Sequence, residues 1–135
     1  LRALEPRLAG DGTLTGEEQR RLAQKLAEVE VELRALELTQ LRVVAADAHG
    51  GGANAAASIL KVKGTEMQQR MTELVTELAG PAGLAMPDHD HAPNDPDDGW
   101  VNAAAPFYFT MRKVSIFGGS NEVQRNIIAK TMLGL

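Results

Sequence analysis

The stretch T-L-T-G-E-E-Q-R-R-L, residues 13–22, and the pattern that follows it restrict the fold more than any other part of the chain. Thr15 and Glu18 stand at the N-cap and N3 spacing of a capping box, and Glu17 adds negative charge in a first turn where the helix dipole favours it. Leu22, Leu26, Val29, Leu33 and Leu36 then recur at alternating steps of four and three, while Arg20, Arg21, Lys25, Glu28, Glu32 and Arg34 occupy the opposite face. The spacing predicts an amphipathic helix running to about Ala48, roughly 45–50 Å long at 1.5 Å per residue. In a chain of 135 residues, a helix of that length lies along other helices, with its charged face in water.

Three consecutive glycines, Gly50 to Gly52, end this helix, and Asn54 can cap the next. Ile59, Leu60, Met67, Met71, Leu74, Val75 and Leu78 mark a second helix, antiparallel to the first. It stops at A-G-P-A-G, residues 79–83, where Pro81 lacks an amide hydrogen and Gly83 allows a turn. After residue 99 the chain is helix-compatible again, with a helix beginning or kinking at Pro106. Gly118 and Gly119 then turn the chain, Ser120 caps, and Val123, Ile127, Ile128 and Met132 give a last helix its apolar stripe. At the other end, Leu1, Leu4 and Leu8 share a face and Gly10 can stop a helix, so the first ten residues read as the tail of a helix begun upstream. The start at Leu1 rather than Met agrees with a processed chain or a piece of a longer one. No sheet signal or internal repeat is present, and the expected fold is all-α, an up-and-down four-helix bundle forming one domain over residues 1–135.

Composition narrows the function. A formal charge of −4 lacks the basic face of a nucleic-acid binder, and no apolar run is long enough for a membrane span. The absence of cysteine excludes disulfides and thiolate chemistry and fits a cytoplasmic protein. With aromatics at only 4%, the core is aliphatic. Trp100, Phe107, Tyr108, Phe109 and Phe117 hold every aromatic ring, and they either plug one end of the bundle or wall a site for a flat ligand. Asp88, His89, Asp90 and His91 carry donors that suit a divalent metal, but a proline-studded acidic loop offers no supporting hydrogen bonds to orient them, so no metal site is expected. His49 reads as a residue at a helix C-terminus answering the dipole.

The residues with most chemical meaning are at the end. A Gly-Gly turn before a Ser-capped helix opens backbone amides to an outside group, a setting that attracts phosphate or another anion, although it is also ordinary turn chemistry. The full string S-I-F-G-G-S-N-E-V-Q-R-N-I-I-A-K-T-M-L-G-L, residues 115–135, resembles the C-terminal signature of the acyl-CoA dehydrogenase family. A-S-I-L-K, residues 57–61, is similar to the family's Ala-Ser-x-x-Lys, and E-L-A-G-P-A-G, residues 77–83, to its glycine turn after that helix. The resemblance covers the chain from about Glu17 to Leu135.

It implies the C-terminal helical bundle of an FAD-dependent flavoenzyme of fatty acid metabolism, one that dehydrogenates an acyl-CoA thioester between its α and β carbons. A carboxylate base takes the α-proton and a hydride passes to the flavin. The resemblance further implies an N-terminal helical domain and a middle β-domain, both absent here, a dimer or tetramer built on this bundle, and electron-transfer flavoprotein as acceptor. Carried onto this chain, it implies cofactor contacts at Ser120, Glu122, Glu77, Gly80, Pro81, Gly119 and Arg125, with Gly80 and Pro81 facing a neighbour's FAD. Gly118 departs from the pattern, because many members place the catalytic Glu there. A base needs a titratable side chain within hydrogen-bond reach, so no catalytic residue is assigned in this chain. Some members keep the base on an earlier helix, which would lie upstream of Leu1. Glu122 reads as a dipole-stabilising residue, and Glu66, Glu73 and Asp47 as surface residues. Arg112, Lys113 and Arg125 either meet a phosphate or pair with nearby acids. The competing class is a non-catalytic bundle kept for assembly, homomeric or as a subunit of a mixed oligomer.

Overall fold

Thr15 opens the first helix as its spacing predicts. Its backbone N–H donates to Glu18 Oε2 at 2.8 Å, and the Glu18 N–H donates back to Thr15 Oγ1 at 3.3 Å, which completes the capping box. The computed structural model describes residues 14–48, 55–84 and 99–135. Four α-helices form an up-and-down bundle: α1 (Gly16–Ala48), α2 (Ala55–Ala79), α3 (Gly99–Met111) and α4 (Asn121–Ile128). Among the described residues there is no strand. The expected tail helix before Gly10, the Gly50 to Gly52 stop, the Asn54 cap, His49 and the acidic segment with His89 and His91 lie outside the described residues.

The core sits between α1 and α2. Leu22 and Val29 from α1 meet Met67 and Leu74 from α2, with Leu33, Leu36, Met71 and Leu78 packed around them. Val29 is wholly buried at 0% exposure, so the stripe read from the sequence faces its partner helix. Two ion pairs flank this seam, Lys25 with Glu77 at 2.6 Å and Arg70 with Glu32 at 2.9 Å. A rising number on α1 is matched by a falling number on α2, so the two helices run antiparallel.

α2 is the hub, packed against α1, α3 and α4. Three neighbours require three buried faces, which is why Ala55, Ser58, Val62 and Thr72 are buried alongside the apolar stripe. The turn after α2 differs from expectation in one respect. Gly80, not Gly83, carries the positive φ, at 60°, and the chain continues as a short 3-10 helix over Gly80–Leu84. Gly83 is buried instead: a Cβ there would collide with the Ala79 Cβ and stand 3.5 Å from that of Ala104. Its role is close packing of the turn on α3, which spacing alone does not distinguish from turn formation.

α3 corrects two further expectations. It begins at Gly99 with Pro106 inside it, so of the expected start or kink at that proline the start is excluded. Three of the five aromatic residues do not plug the bundle, because Phe107, Phe109 and Phe117 are exposed, Phe109 to 65%, while Trp100 and Tyr108 are half-buried. The buried contacts of α3 are made by Ala104 and Ala105, whose small side chains bring the backbones close, while Phe107 and Phe109 face outward. Arg112 fastens the end of α3 to α2, donating to Glu73 Oε1 at 3.0 Å and to Gln69 O at 2.9 Å, with its guanidinium 4.3 Å from the Tyr108 ring centroid. After α4 a π-helical turn, Ala129–Leu133, ends at Gly134 with φ 69°.

Candidate functional site

Gly118 and Gly119 have φ of 65° and 83°, the left-handed region where only glycine sits without strain. A Cβ on Gly118 would meet nothing within 4 Å of the described residues, so a side chain there would have room. Gln124 Nε2 reaches back across the turn to donate to Gly118 O at 3.1 Å. Ser120 then caps α4, its Oγ accepting from Val123 N at 3.4 Å.

Glu122 decides the electrostatics of this helix end. Its carboxyl is held below the usual carboxylate range, first by its own backbone N–H and then by the Ser120 hydroxyl, with smaller help from Arg125 and Lys61. The expectation of an open anion site is therefore modified, since a carboxylate of the chain already lies on the α4 N-terminus. What the turn offers an outside group is the Ser120 hydroxyl and an acceptor carboxylate, a pair suited to hydroxyl and N–H donors. A carboxyl kept ionised in this way also fits the dipole role expected for Glu122 and not that of a general base tuned towards neutrality.

The second candidate region is a cleft of about 610 Å³ between the end of α2 and α3. Gly80, Pro81, Leu84, Ala105, Tyr108 and Phe109 line it, with Glu73, Thr76 and Glu77 at its polar edge. Tyr108 and Phe109 meet edge to face, with centroids 5.3 Å apart. The structure thus brings three sequence-predicted residues, Glu77, Gly80 and Pro81, to one cleft, and it also brings aromatic rings there. Its charged groups are carboxylates already paired with Lys25 and Arg112, so it suits a flat uncharged ring better than a phosphate.

Ser120, Glu122, Gly119 and Arg125 gather at the other end of the bundle, around the α4 N-terminus. Arg125 pairs with Glu66 at 2.9 Å, an exposed contact. Lys113 lies 5.6 Å from the Phe117 ring centroid. Among the described residues no group of three or more acidic, His or Cys side chains is placed to hold a metal, and no helix is long and apolar enough to cross a membrane.

Sequence reasoning missed Asn121. It is only 6% exposed, and its Oδ1 accepts from Lys61 Nζ at 2.8 Å and from Thr65 Oγ1 at 3.2 Å. The signal was present in the A-S-I-L-K string, whose Lys61 falls one helical turn before Thr65 on the face that meets α4.

A helical bundle that presents a glycine turn, a Ser-capped helix end and an aromatic-lined cleft defines an all-α module with two candidate ligand-facing ends. The family profile described as acyl-CoA dehydrogenase, C-terminal domain, matches residues 10–133, and the chain belongs to that family. Over 78 residues, 58% of this chain, it is 35% identical to acyl-CoA dehydrogenase IpdE1 of Mycobacterium tuberculosis. Over a stretch of the same length it is 33% identical to acyl-CoA dehydrogenase IpdE1 of Mycolicibacterium smegmatis. The match spans 18% and 17% of those relatives' lengths. No solved structure gives a significant match.

Proposed function

We propose that this chain is the C-terminal helical-bundle domain of an FAD-dependent acyl-CoA dehydrogenase, in which it contributes cofactor contacts and the core of a dimer or tetramer. The observation that supports this most is the turn at Gly119 and Ser120, where Gly119 takes φ 83° and Ser120 caps α4, in a chain that belongs to the family. The residues present fit FAD: Ser120 and Glu122 can bond its hydroxyl and N–H groups, and the cleft at Gly80, Pro81, Tyr108 and Phe109 can cover a flat ring. When bound, FAD accepts the hydride that leaves the β-carbon of the acyl-CoA. Within this reading Gly119 lets the backbone approach, while Glu77 and Arg125 act only after exchanging their present partners, Lys25 and Glu66.

Gly118 has no proton-accepting side chain, so the base that takes the α-proton lies elsewhere. The chain alone, given FAD and an acyl-CoA, is expected to reduce no dye. The whole protein would act in the cytoplasm and pass its electrons to electron-transfer flavoprotein. Purifying the whole natural protein and measuring its flavin content and acyl-CoA-dependent dye reduction tests the reading. Bound flavin with turnover supports it, and a stable assembly with neither overturns it. The second reading, a non-catalytic assembly subunit whose partner does the flavin chemistry, is favoured by the same empty position at Gly118. It predicts that activity appears only when a second, different chain is present.

A further inference from the structure

One cation spans the two stems of the glycine turn. Lys61 Nζ donates to Ser115 O at 3.1 Å, where the short 3-10 helix Arg112–Ser115 ends, and to Asn121 Oδ1 at 2.8 Å, where α4 begins. Between those anchors lies the segment 116–120, with Gly118 and Gly119 at its centre. Two successive glycines make a segment soft, because neither carries a side chain to restrict its backbone. Gln124 holds its middle through Gly118 O, and its ends need anchors of their own. Lys61 is suited to hold both, since an ammonium has three donors and no acceptor. It can bridge two carbonyl oxygens, and it forces the amide oxygen of Asn121, not its nitrogen, to face it. Thr65 supports the same oxygen from the next turn of α2, sharing its hydroxyl between Val62 O and Asn121 Oδ1. Asn121 is nearly buried, and leaving its amide unpartnered there would be costly.

We propose that Lys61 is a positioning residue: by clamping Ser115 and Asn121 it fixes the turn and the first turn of α4 on α2, and so sets the geometry in which Ser120 and Glu122 meet the cofactor. The cofactor half of this inference rests on the flavin reading above, whereas the clamp itself rests on the hydrogen bonds alone.

The test uses the whole protein carrying Lys61→Met, Lys61→Arg or Lys61→Gln, with two independent readouts. Amide hydrogen exchange without added flavin reports the clamp. In Lys61→Met the amides of 123–126, which are bonded within the first turns of α4, should exchange at least about tenfold faster, as expected for losing charge-assisted hydrogen bonds at Asn121, while protection around Val29 and Leu74 stays unchanged. Lys61→Arg, which keeps several donors, should recover part of that protection. FAD titration reports the consequence: the Kd should rise about tenfold in Lys61→Met and less in Lys61→Arg. Unchanged exchange at 123–126 overturns the clamp. Faster exchange with unchanged FAD affinity overturns its role towards the cofactor. A wild-type protein that binds no FAD overturns the flavin reading, and the exchange data still decide the clamp. Should Lys61→Met fail to fold, Lys61→Gln, which keeps a shorter and uncharged donor, is held to the same criteria.

Discussion

Lys25 joins α1 to Glu77 in the last turn of α2, its Nζ lying 2.6 Å from Oε1 and 2.8 Å from Oε2 of that carboxylate. A residue that family resemblance assigns to the cofactor is thus engaged, in this chain, in a cross-helix ion pair. Both side chains are more than a third exposed, at 39% and 37%, so solvent screens the pair and it contributes about 0–1 kcal/mol. Glu77→Gln and Lys25→Met, alone and combined in a double-mutant cycle followed by urea unfolding, should show a coupling in that range. A coupling above about 2 kcal/mol would mean the pair is a structural lock rather than a releasable contact.

The two glycines that matter most should fail for different reasons. Gly118→Ala meets open space but must adopt φ 65°, a backbone cost of about 1 kcal/mol. Gly83→Ala has an ordinary φ but drives a methyl group into Ala79 and against Ala104, and overpacking of this kind costs about 1–3 kcal/mol. Thermal melts should rank Gly83→Ala as the more damaging. The reverse order would show that the turn on α3 yields easily.

Burial predicts a contrast along the helices. Leu74→Ala empties the seam between α1 and α2 and should lose about 2–5 kcal/mol. Leu38→Ala, at a position 63% exposed, should stay within about 0.5 kcal/mol in the chain by itself. Val31 and Leu41 share that outward face of α1. Denaturant midpoints for Leu38→Ala in the chain and in the whole protein therefore test the proposed oligomer core, which requires a larger loss in the whole protein.

Acid should loosen the first turn of α1 before its middle. The Glu18 carboxyl is held below its usual range by hydrogen bonds from Thr15. A depressed folded pKa gives a contribution that is complete above the unfolded carboxylate value, about 4.3, and is lost as pH falls through the lower folded value. Protection of the Thr15, Glu18 and Gln19 amides, taken relative to their intrinsic exchange rate, should fall over that acid window, and Glu18→Gln should abolish the pH dependence while leaving the rest of α1 unaffected. Loss of protection that persists in Glu18→Gln would assign the effect to another group.

The sequence was readable wherever a local rule acted alone. The Thr15 and Glu18 box fixes where α1 starts, the step of three and four identifies its buried face, and Ser120 after two glycines marks the start of α4, because capping, periodicity and φ > 0 depend on a few neighbouring residues. The family string at residues 115–135 was legible for the same reason, being contiguous. Where the expectations failed, the cause was a contact from another helix. Gly83 resembles a turn glycine until Ala104 is seen against it, and the rings of α3 resemble core until Ala104 and Ala105 take the interface.

By itself, then, the sequence determined the four-helix class, the apolar stripe of α1 and the glycine turn, since each is set by residues within a turn or two of one another. Only the tertiary structure decided which apolar faces this chain covers for itself. It left Val31, Leu38 and Leu41 of α1 and Val123, Ile127 and Met132 after the turn exposed. It also joined Lys61 to Asn121 across 60 positions of sequence. No local rule reaches that far, because a buried amide chooses its partner from whatever helix the packing brings against it.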